Sequence, residues 1–416
     1  MEISFLGGAS EVGRSGFLLK GSKSILLDYG LKIDERTEYP LDVDKVDAVV
    51  ISHAHLDHSG SLPYLFRKNN PIVIGTDSTL ELSNLLIEDA MKLGRKKHEP
   101  LKYKNRDLKM LNRRYVPYPY HSTMNYDEFD ITLYDAGHIC GSAITLIEDQ
   151  RSNKRIVYTG DFKLEKQLFH DGAEIVKSDI LIIESTYATR EHPDRKVLIK
   201  KFIEEIKKIL DNNGVALVPV FAVGRSQEIL GILYENNLID YVYLDGMARK
   251  ATDIVLRHPN EISKSDMLKK AIERLMWVDS KKDRRSASDG PSIVVTTSGM
   301  LNGGPVLNYL KNLSKNSEIL LTGYQIEGTN GRRLLEKGSV VIDNKEIKIE
   351  NPVHYFDFSA HAGESDLYKY VKESNPETVI CIHGDRDNVK IFSEKLKEMG
   401  FETYAPEIGE RIKLKV

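Results

Sequence analysis

A chain of 416 residues is too long for one ordinary hydrophobic core, so two domains are expected. The net charge of −3 carries no global basic signal for nucleic acid, and two cysteines, Cys140 and Cys381, cannot build a disulfide framework, which fits a reducing cytoplasm. No apolar run reaches the roughly 18 residues of a membrane-spanning helix. The opening Met1-Glu-Ile-Ser-Phe5 enters a strand pattern without the basic region or cleavage site of a signal peptide.

Three short strands are predicted over 2–7, 15–20 and 24–29, the last ending at Asp28-Tyr-Gly30. An apolar run, Asp47 to Ile51, reads as a buried strand and gives way at once to Ser52-His-Ala-His-Leu-Asp-His58. His53 and His55 alternate, so on extended backbone they point the same way. Asp57 and His58 stand where a helix over 60–67 would begin. Imidazole and carboxylate donors at this density suit zinc or a similar divalent ion, and two pairs can serve two ions about 3.5–4 Å apart.

A strand over 71–75 leads to an amphipathic helix over about 78–93, with Leu82, Leu85, Leu86 and Met91 at helical spacing. The basic stretch from Lys102 to Arg114 runs into Tyr115, Tyr118 and Tyr120, a mixture of cations and rings that a single-strand groove would use. Residues 116–120, rich in proline and tyrosine, read as an irregular loop. Strands over 129–134, 143–147 and 155–158 follow. His138 lies at the turn before one of them and Asp161 just past another, each preceded by a glycine that lets the backbone turn sharply. Asp161 is the natural bridge, because one carboxylate can bind two cations.

A strand over 179–183 ends in Glu184-Ser-Thr-Tyr187, and after it the pattern changes. A lysine-rich helix over 196–210 precedes repeated strand–helix units: 214–220 with 226–236, 241–244 with 250–257, 293–297 with 305–313, and 319–321 with 331–336. Such repetition predicts a parallel α/β domain that binds ligands at the carboxyl ends of its strands. Those ends carry Phe221-Ala-Val-Gly-Arg225, Asp245-Gly-Met247, Ser298-Gly-Met-Leu-Asn-Gly-Gly304 and Gly323-Tyr-Gln-Ile-Glu-Gly328. Glycine and hydroxyl residues before a helix offer N–H groups to phosphate, and Arg225 and Arg332 add charge. Strands over 353–358 and 378–382 then end in Ser359-Ala-His361 and His383-Gly-Asp385, repeating the theme of a histidine just past a strand. The other histidines, 98, 121, 170, 192, 258 and 354, read as surface or core residues.

In their order these motifs resemble the β-CASP family of metallo-β-lactamase-fold nucleases, and the likeness covers essentially the whole chain. Asp28; His53, His55, Asp57 and His58; His138; and Asp161 match the superfamily motifs. Glu184, His361 and His383 match the three motifs particular to the β-CASP branch. The resemblance is to the archaeal type related to the cleavage and polyadenylation specificity factor and to RNase J, without the KH domains that many archaeal members carry. Gly363 departs from the family, which often has an acidic residue there.

The resemblance implies an αββα metallo-β-lactamase sandwich over 1–186 and 352–416, with a parallel α/β β-CASP domain inserted over 187–351 and the active site in the cleft between them. It implies two Zn2+ ions, one on His53, His55 and His138, the other on Asp57, His58 and His383, bridged by Asp161. Asp28 would orient ligands from behind. Asp57, His361 and Glu184 would be catalytic, and Arg225, Ser298, Gly299, Gly323, Arg332 and Ser359 would hold RNA phosphates. The implied activity is a cytoplasmic ribonuclease that hydrolyses single-stranded RNA with a metal-bound hydroxide, endonucleolytically, in 3′-end processing or decay. A 5′→3′ exoribonuclease of the RNase J kind, a non-catalytic scaffold, a thioester hydrolase and a DNA-cutting enzyme are the alternatives. Relatives pair through their C-terminal region, and Arg411 to Val416 alternates like an edge strand open to pairing, so a homodimer is expected.

Overall fold

The computed structural model describes residues 1–33 and 36–414. The chain forms two compact units, Met1–Glu191 with His361–Val416 and His192–Ala360, so the second is inserted in the sequence of the first.

Two seven-stranded sheets build the first unit among the described residues. One runs in the order Arg411–Lys413, Glu2–Gly7, Gly16–Lys20, Ser24–Leu27, Ala48–Val50, Ile72–Gly75, Tyr115–Pro117. Its first four strands are antiparallel and the rest join in parallel. The other runs Glu402–Tyr404, Thr378–Ile382, Ile180–Glu184, Lys154–Tyr158, Ala143–Asp149, Phe129–Asp135, Thr123–Tyr126.

Strand alternation divides the apolar residues between two layers. Ile3, Phe5, Phe17, Leu19, Ile25 and Leu27 of the first sheet meet Ile131, Leu133, Ile147, Ile156, Tyr158 and Ile182 of the second, which makes the central core. The residues between them face outward under helices. Leu18, Leu26, Val49 and Val73 meet Ile87 and Met91 of Asp77–Lys96 and Leu108 and Leu111 of Asn105–Arg114. Ile144, Leu146, Leu181 and Ile183 meet Leu367 and Tyr370 of Glu364–Ser374 and Phe392 and Leu396 of Arg386–Glu398. With both faces covered, the strands are apolar almost throughout. Each such side chain contributes about 1.5–3 kcal/mol on burial. This is the αββα sandwich.

The inserted unit has one parallel sheet in the order Met276–Trp277, Val242–Asp245, Ser292–Thr296, Val215–Pro219, Glu318–Leu321, Val353–Tyr355. Val353–Tyr355 is the edge strand beside Glu318–Leu321. The inserted unit therefore runs to Ala360, not to 351. Alternation over 353–358 announces a strand but cannot say which sheet receives it.

Other local expectations change as well. The basic stretch before Tyr115 is the helix Asn105–Arg114, and Tyr115 is buried with its hydroxyl donated to the Thr76 carbonyl (2.7 Å), so it lines no groove. Residues 115–117 are an edge strand, not part of a loop. Lys92 and Lys96 extend the helix after Thr76 beyond its apolar stripe, to Lys96. The helices Ser265–Arg274 and Lys281–Asp289 lie where no element is expected, because their apolar faces are only one or two residues wide.

Candidate metal centre

The strand Ala48–Val50 lies inside its sheet, parallel to a neighbour on each side, and the chain leaves it straight into the histidine run. Asp57 and His58 sit within a helical turn of their own, Leu56–Ser59, ahead of the short helix Leu62–Leu65, so the ligand run itself is partly helical. The segment Tyr29–Leu31 holds that turn by its backbone: Tyr29 N–H donates to the His58 carbonyl (2.8 Å) and Leu31 N–H to Leu56 (2.7 Å). His138 and Asp161 follow Gly137 and Gly160, which take φ of +65° and +53°, conformations that L side chains resist. His383 caps Thr378–Ile382 at φ 48°, and its N–H is held by the Gly8 carbonyl (2.7 Å).

These side chains converge in two groups, each with donor atoms within 4.8 Å of one another: His53, His55, His138 and Asp161; and Asp57, His58, Asp161 and His383. In the first, His55 Nδ1 is 3.1 Å from His53 Nε2 and 3.2 Å from His138 Nε2. His53 Nε2 lies 3.6 Å from Asp161 Oδ2. In the second, His58 Nε2 is 3.3 Å from Asp161 Oδ2, and His383 Nε2 is 3.4 Å from Asp57 Oδ2. Asp161 belongs to both.

The arrangement fits divalent cations. A tetrahedral zinc with bonds of about 2.0–2.1 Å separates its ligand atoms by about 3.3 Å, close to the spacings here. His58 Nε2 and His383 Nε2 are buried with no well-aligned hydrogen-bond partner, and Asp161 Oδ1 lies 3.1 Å from His383 Nδ1, a concentration of buried polar atoms that a bound cation would satisfy. All of the histidine and aspartate donors are hard or borderline, as zinc and its neighbours prefer.

Charge in the cluster is sharply polarised. Burial holds the His53 and His55 imidazoles below their ordinary range, His53 far below. Burial also works against protonation of His58, but Asp161, Asp57 and Asp28 outweigh it and carry the group well above its ordinary value. His383 is pushed up to about 10 despite its burial, chiefly by Asp161. Burial pushes the Asp161 and Asp57 carboxyls up, but His383 and His58 more than reverse this and both stay ionised.

Asp161 also joins a third set with Glu184 and His361. The buried Glu184 lies 3.0 and 3.1 Å from His361 Nδ1 and accepts the Phe162 N–H (3.0 Å). His361 Nε2 is 3.9 Å from Asp161 Oδ2. Burial opposes protonation of His361, yet Glu184 and Asp161 raise its affinity for a proton above the usual imidazole range. Behind the cluster the fully buried Asp28, at φ 58°, is bonded to Ser52, His58 and Tyr158. Neither Ser52 nor Tyr158 stands out in the sequence; the serine directly before the first ligand was the available signal. Cys140 and Cys381 are buried, and Cys381 packs in the outer core under the C-terminal helices.

The phosphate candidates of the inserted unit are gathered at carboxyl ends of its strands. Gln325 Nε2 donates to the Gly323 carbonyl (2.8 Å) and to the Gly299 carbonyl (3.3 Å), tying two of the loops together. Arg225 donates to the Thr322 carbonyl and lies against Gly323. Arg332 pairs with Glu336 on its own helix (2.6 Å). Ser298 follows a cis peptide bond, and Ser359 is buried.

A sandwich of two sheets between helices, with two groups of candidate metal ligands at its strand ends, defines a metal-dependent hydrolase of the metallo-β-lactamase fold. Family models agree along the chain: the metallo-beta-lactamase superfamily over residues 11–174, the Beta-Casp domain over 227–334, and the Zn-dependent metallo-hydrolase RNA specificity domain over 346–406. The chain is 44% identical to "Probable RNase MJ4" of Methanocaldococcus jannaschii, over 100% of both. It is 36% identical to "RNase aCSPSF2" of Saccharolobus solfataricus, over 99% of this chain and 85% of the other. It is 34% identical to an "RNase J-like protein" of M. jannaschii, over 98% of each. A solved protein of unknown function from Enterococcus faecalis shares the fold, with a TM-score of 0.63 at 16% identity over 99% of both chains. The chain belongs to the β-CASP ribonuclease family of metallo-β-lactamase-fold proteins. Among the described residues no helix is long and apolar enough to cross a membrane.

Proposed function

We propose that this protein is a zinc-dependent endoribonuclease acting on single-stranded RNA in 3′-end processing or decay, in the cytoplasm. The observation that carries this reading is the sharing of Asp161 by two ligand groups with the His361–Glu184 pair beside it. His53, His55 and His138 would hold one zinc, Asp57, His58 and His383 the other, and Asp161 both. When bound, such a pair supplies Lewis acidity and lowers the pKa of water toward 7.

The protein's own groups divide the remaining work. Asp57 and Asp161 stay ionised, so they serve as cation ligands and order water through their oxygens. Glu184 accepts a hydrogen bond from His361 Nδ1–H and, with Asp161, favours the protonated imidazole, which keeps Nε2–H on the side of Asp161. As water oxygen bonds to phosphorus, the bond from phosphorus to the 3′-oxygen breaks and His361 gives that oxygen its proton. The imidazole recovers a proton from the attacking water. The products are a 5′-phosphate and a 3′-hydroxyl. Arg225, Ser298, Gly299, Gly323 and Ser359 would hold flanking phosphates, with Arg332 the weakest candidate because Glu336 already engages it.

Likeness to the RNase J-like protein supports a second reading, a 5′→3′ exonuclease. Circular and end-labelled linear RNA of one sequence, incubated with zinc and with chelator, separate the two. Cleavage of circles supports the endonuclease; intact circles with shortened linear RNA favour the exonuclease. Equal cleavage with all metal removed refutes the metal assignment. The edge strand Arg411–Lys413 supports a homodimer formed by strand pairing along that edge.

A further inference from the structure

The two ligand groups share more than Asp161. Asp28 Oδ1 accepts the Ser52 N–H (2.7 Å). Its Oδ2 accepts the Ser52 hydroxyl (2.6 Å) and the Tyr158 hydroxyl (2.6 Å), and lies 2.7 Å from His58 Nδ1. The Ser52 hydroxyl oxygen is in turn 3.1 Å from His53 Nδ1.

Proton counting fixes the direction of these bonds. A hydroxyl has one hydrogen, and that of Ser52 is committed to the carboxylate, its shorter and charge-assisted contact. Toward His53 the Ser52 oxygen can therefore only accept, so the His53 proton sits on Nδ1. Opposite His58 Nδ1 lies a carboxylate oxygen with no hydrogen to give, so His58 also carries its proton on Nδ1. His53 Nε2 then turns its lone pair to the cluster and faces Asp161 from the first group, while His58 Nε2 faces Asp161 from the second.

We propose that Ser52 is a positioning residue that relays the charge of Asp28 to His53, so that one buried carboxylate fixes the ring proton of a histidine in each ligand group. This rests on the two-cation reading above. Tyr158 is the third donor to Asp28 Oδ2. The seat of Ser52 is closed by Gly160: a Cβ there would lie 2.5 Å from the Ser52 Cβ and 2.8 Å from its hydroxyl oxygen. A carboxylate behind a metal-bound histidine is a familiar arrangement; here one carboxylate reaches two histidines, the second through a serine.

The test uses the full chain, stripped of metal and titrated with Zn2+ against a chromophoric chelator, in wild type and Ser52→Ala. Removing such a partner costs about 10–100-fold in metal affinity. Ser52→Ala is expected to lose that much at the site of His53, His55 and His138, with the other site keeping close to its wild-type affinity. Histidine ring 15N–1H spectra of metal-free wild type give a check that needs no variant: the His53 proton is expected on Nδ1. Two zinc ions in wild type with both affinities retained in Ser52→Ala, an equal loss at both sites, or a His53 proton on Nε2 overturns the relay while leaving the metal centre standing. Wild type that holds fewer than two zinc ions overturns the two-cation reading, and the relay with it.

Discussion

Gly30 has no chemistry of its own, yet its replacement by alanine is expected to disable the centre. A Cβ at residue 30 would stand 1.7 Å from the Asp57 carbonyl oxygen, 2.1 Å from its carbon and 2.8 Å from the His58 nitrogen. Ordinary contact begins near 3.4 Å, so the two backbones must part by more than an ångström. Neither is free to move: Gly30 N–H is held by the Ser15 carbonyl (2.8 Å), and the Asp57 carbonyl by Ser15 N–H (2.8 Å). Overpacking of this kind costs about 1–3 kcal/mol where side chains can yield, and backbone against backbone belongs at the upper end. For a unit of this size about 3 kcal/mol corresponds to a fall of roughly 6–12 °C in Tm. The same displacement moves Asp57 and His58, and a misplacement of about 1 Å at a reacting centre can cost 100-fold in rate. Scanning calorimetry, zinc content and RNA cleavage of Gly30→Ala measure all three consequences. A variant that melts within about 2 °C of wild type, holds its full zinc and cuts at the normal rate would refute the reasoning.

His361→Ala is expected to lower cleavage by about 100- to 10,000-fold, the range for a lost general acid, while zinc content stays at the wild-type level; loss of metal would make His361 a ligand instead. In metal-free protein the raised His383 contributes stability that is complete below about pH 6.5, the unfolded imidazole value, and is lost as pH rises through about 10. The Tm of metal-free protein should therefore fall between pH 7 and 10 more steeply than that of zinc-loaded protein, and parallel profiles would count against the charge network. Light scattering should give the mass of a dimer, and Lys413→Pro, which removes an N–H turned away from Glu2–Gly7, should give a monomer; a monomeric wild type rejects pairing along Arg411–Lys413.

The ligand run was legible because its chemistry is local: an apolar strand, then histidines and aspartates where a buried strand must end. His138, Asp161 and His383 could be joined to it because each repeats that setting. The alternation of sheets and helices was legible for the same reason, since period and composition change together near Glu184. What escaped was fixed by partners distant in sequence. Tyr158 looks like any apolar strand residue until Asp28 is placed beside its hydroxyl. Tyr115 looked exposed among cations, but its neighbours are the core residues under Asn105–Arg114. Val353–Tyr355 carries the pattern of a strand without the identity of its neighbour, and only pairing with Glu318–Leu321 assigns it.

The sheet containing Ile180–Glu184 receives Thr378–Ile382 directly alongside it, with the entire inserted unit encoded between the two. A polypeptide growing from its amino end thus makes six of the seven candidate ligands long before His383 exists. During synthesis the second group of candidate ligands therefore stays incomplete until the whole inserted unit has been made.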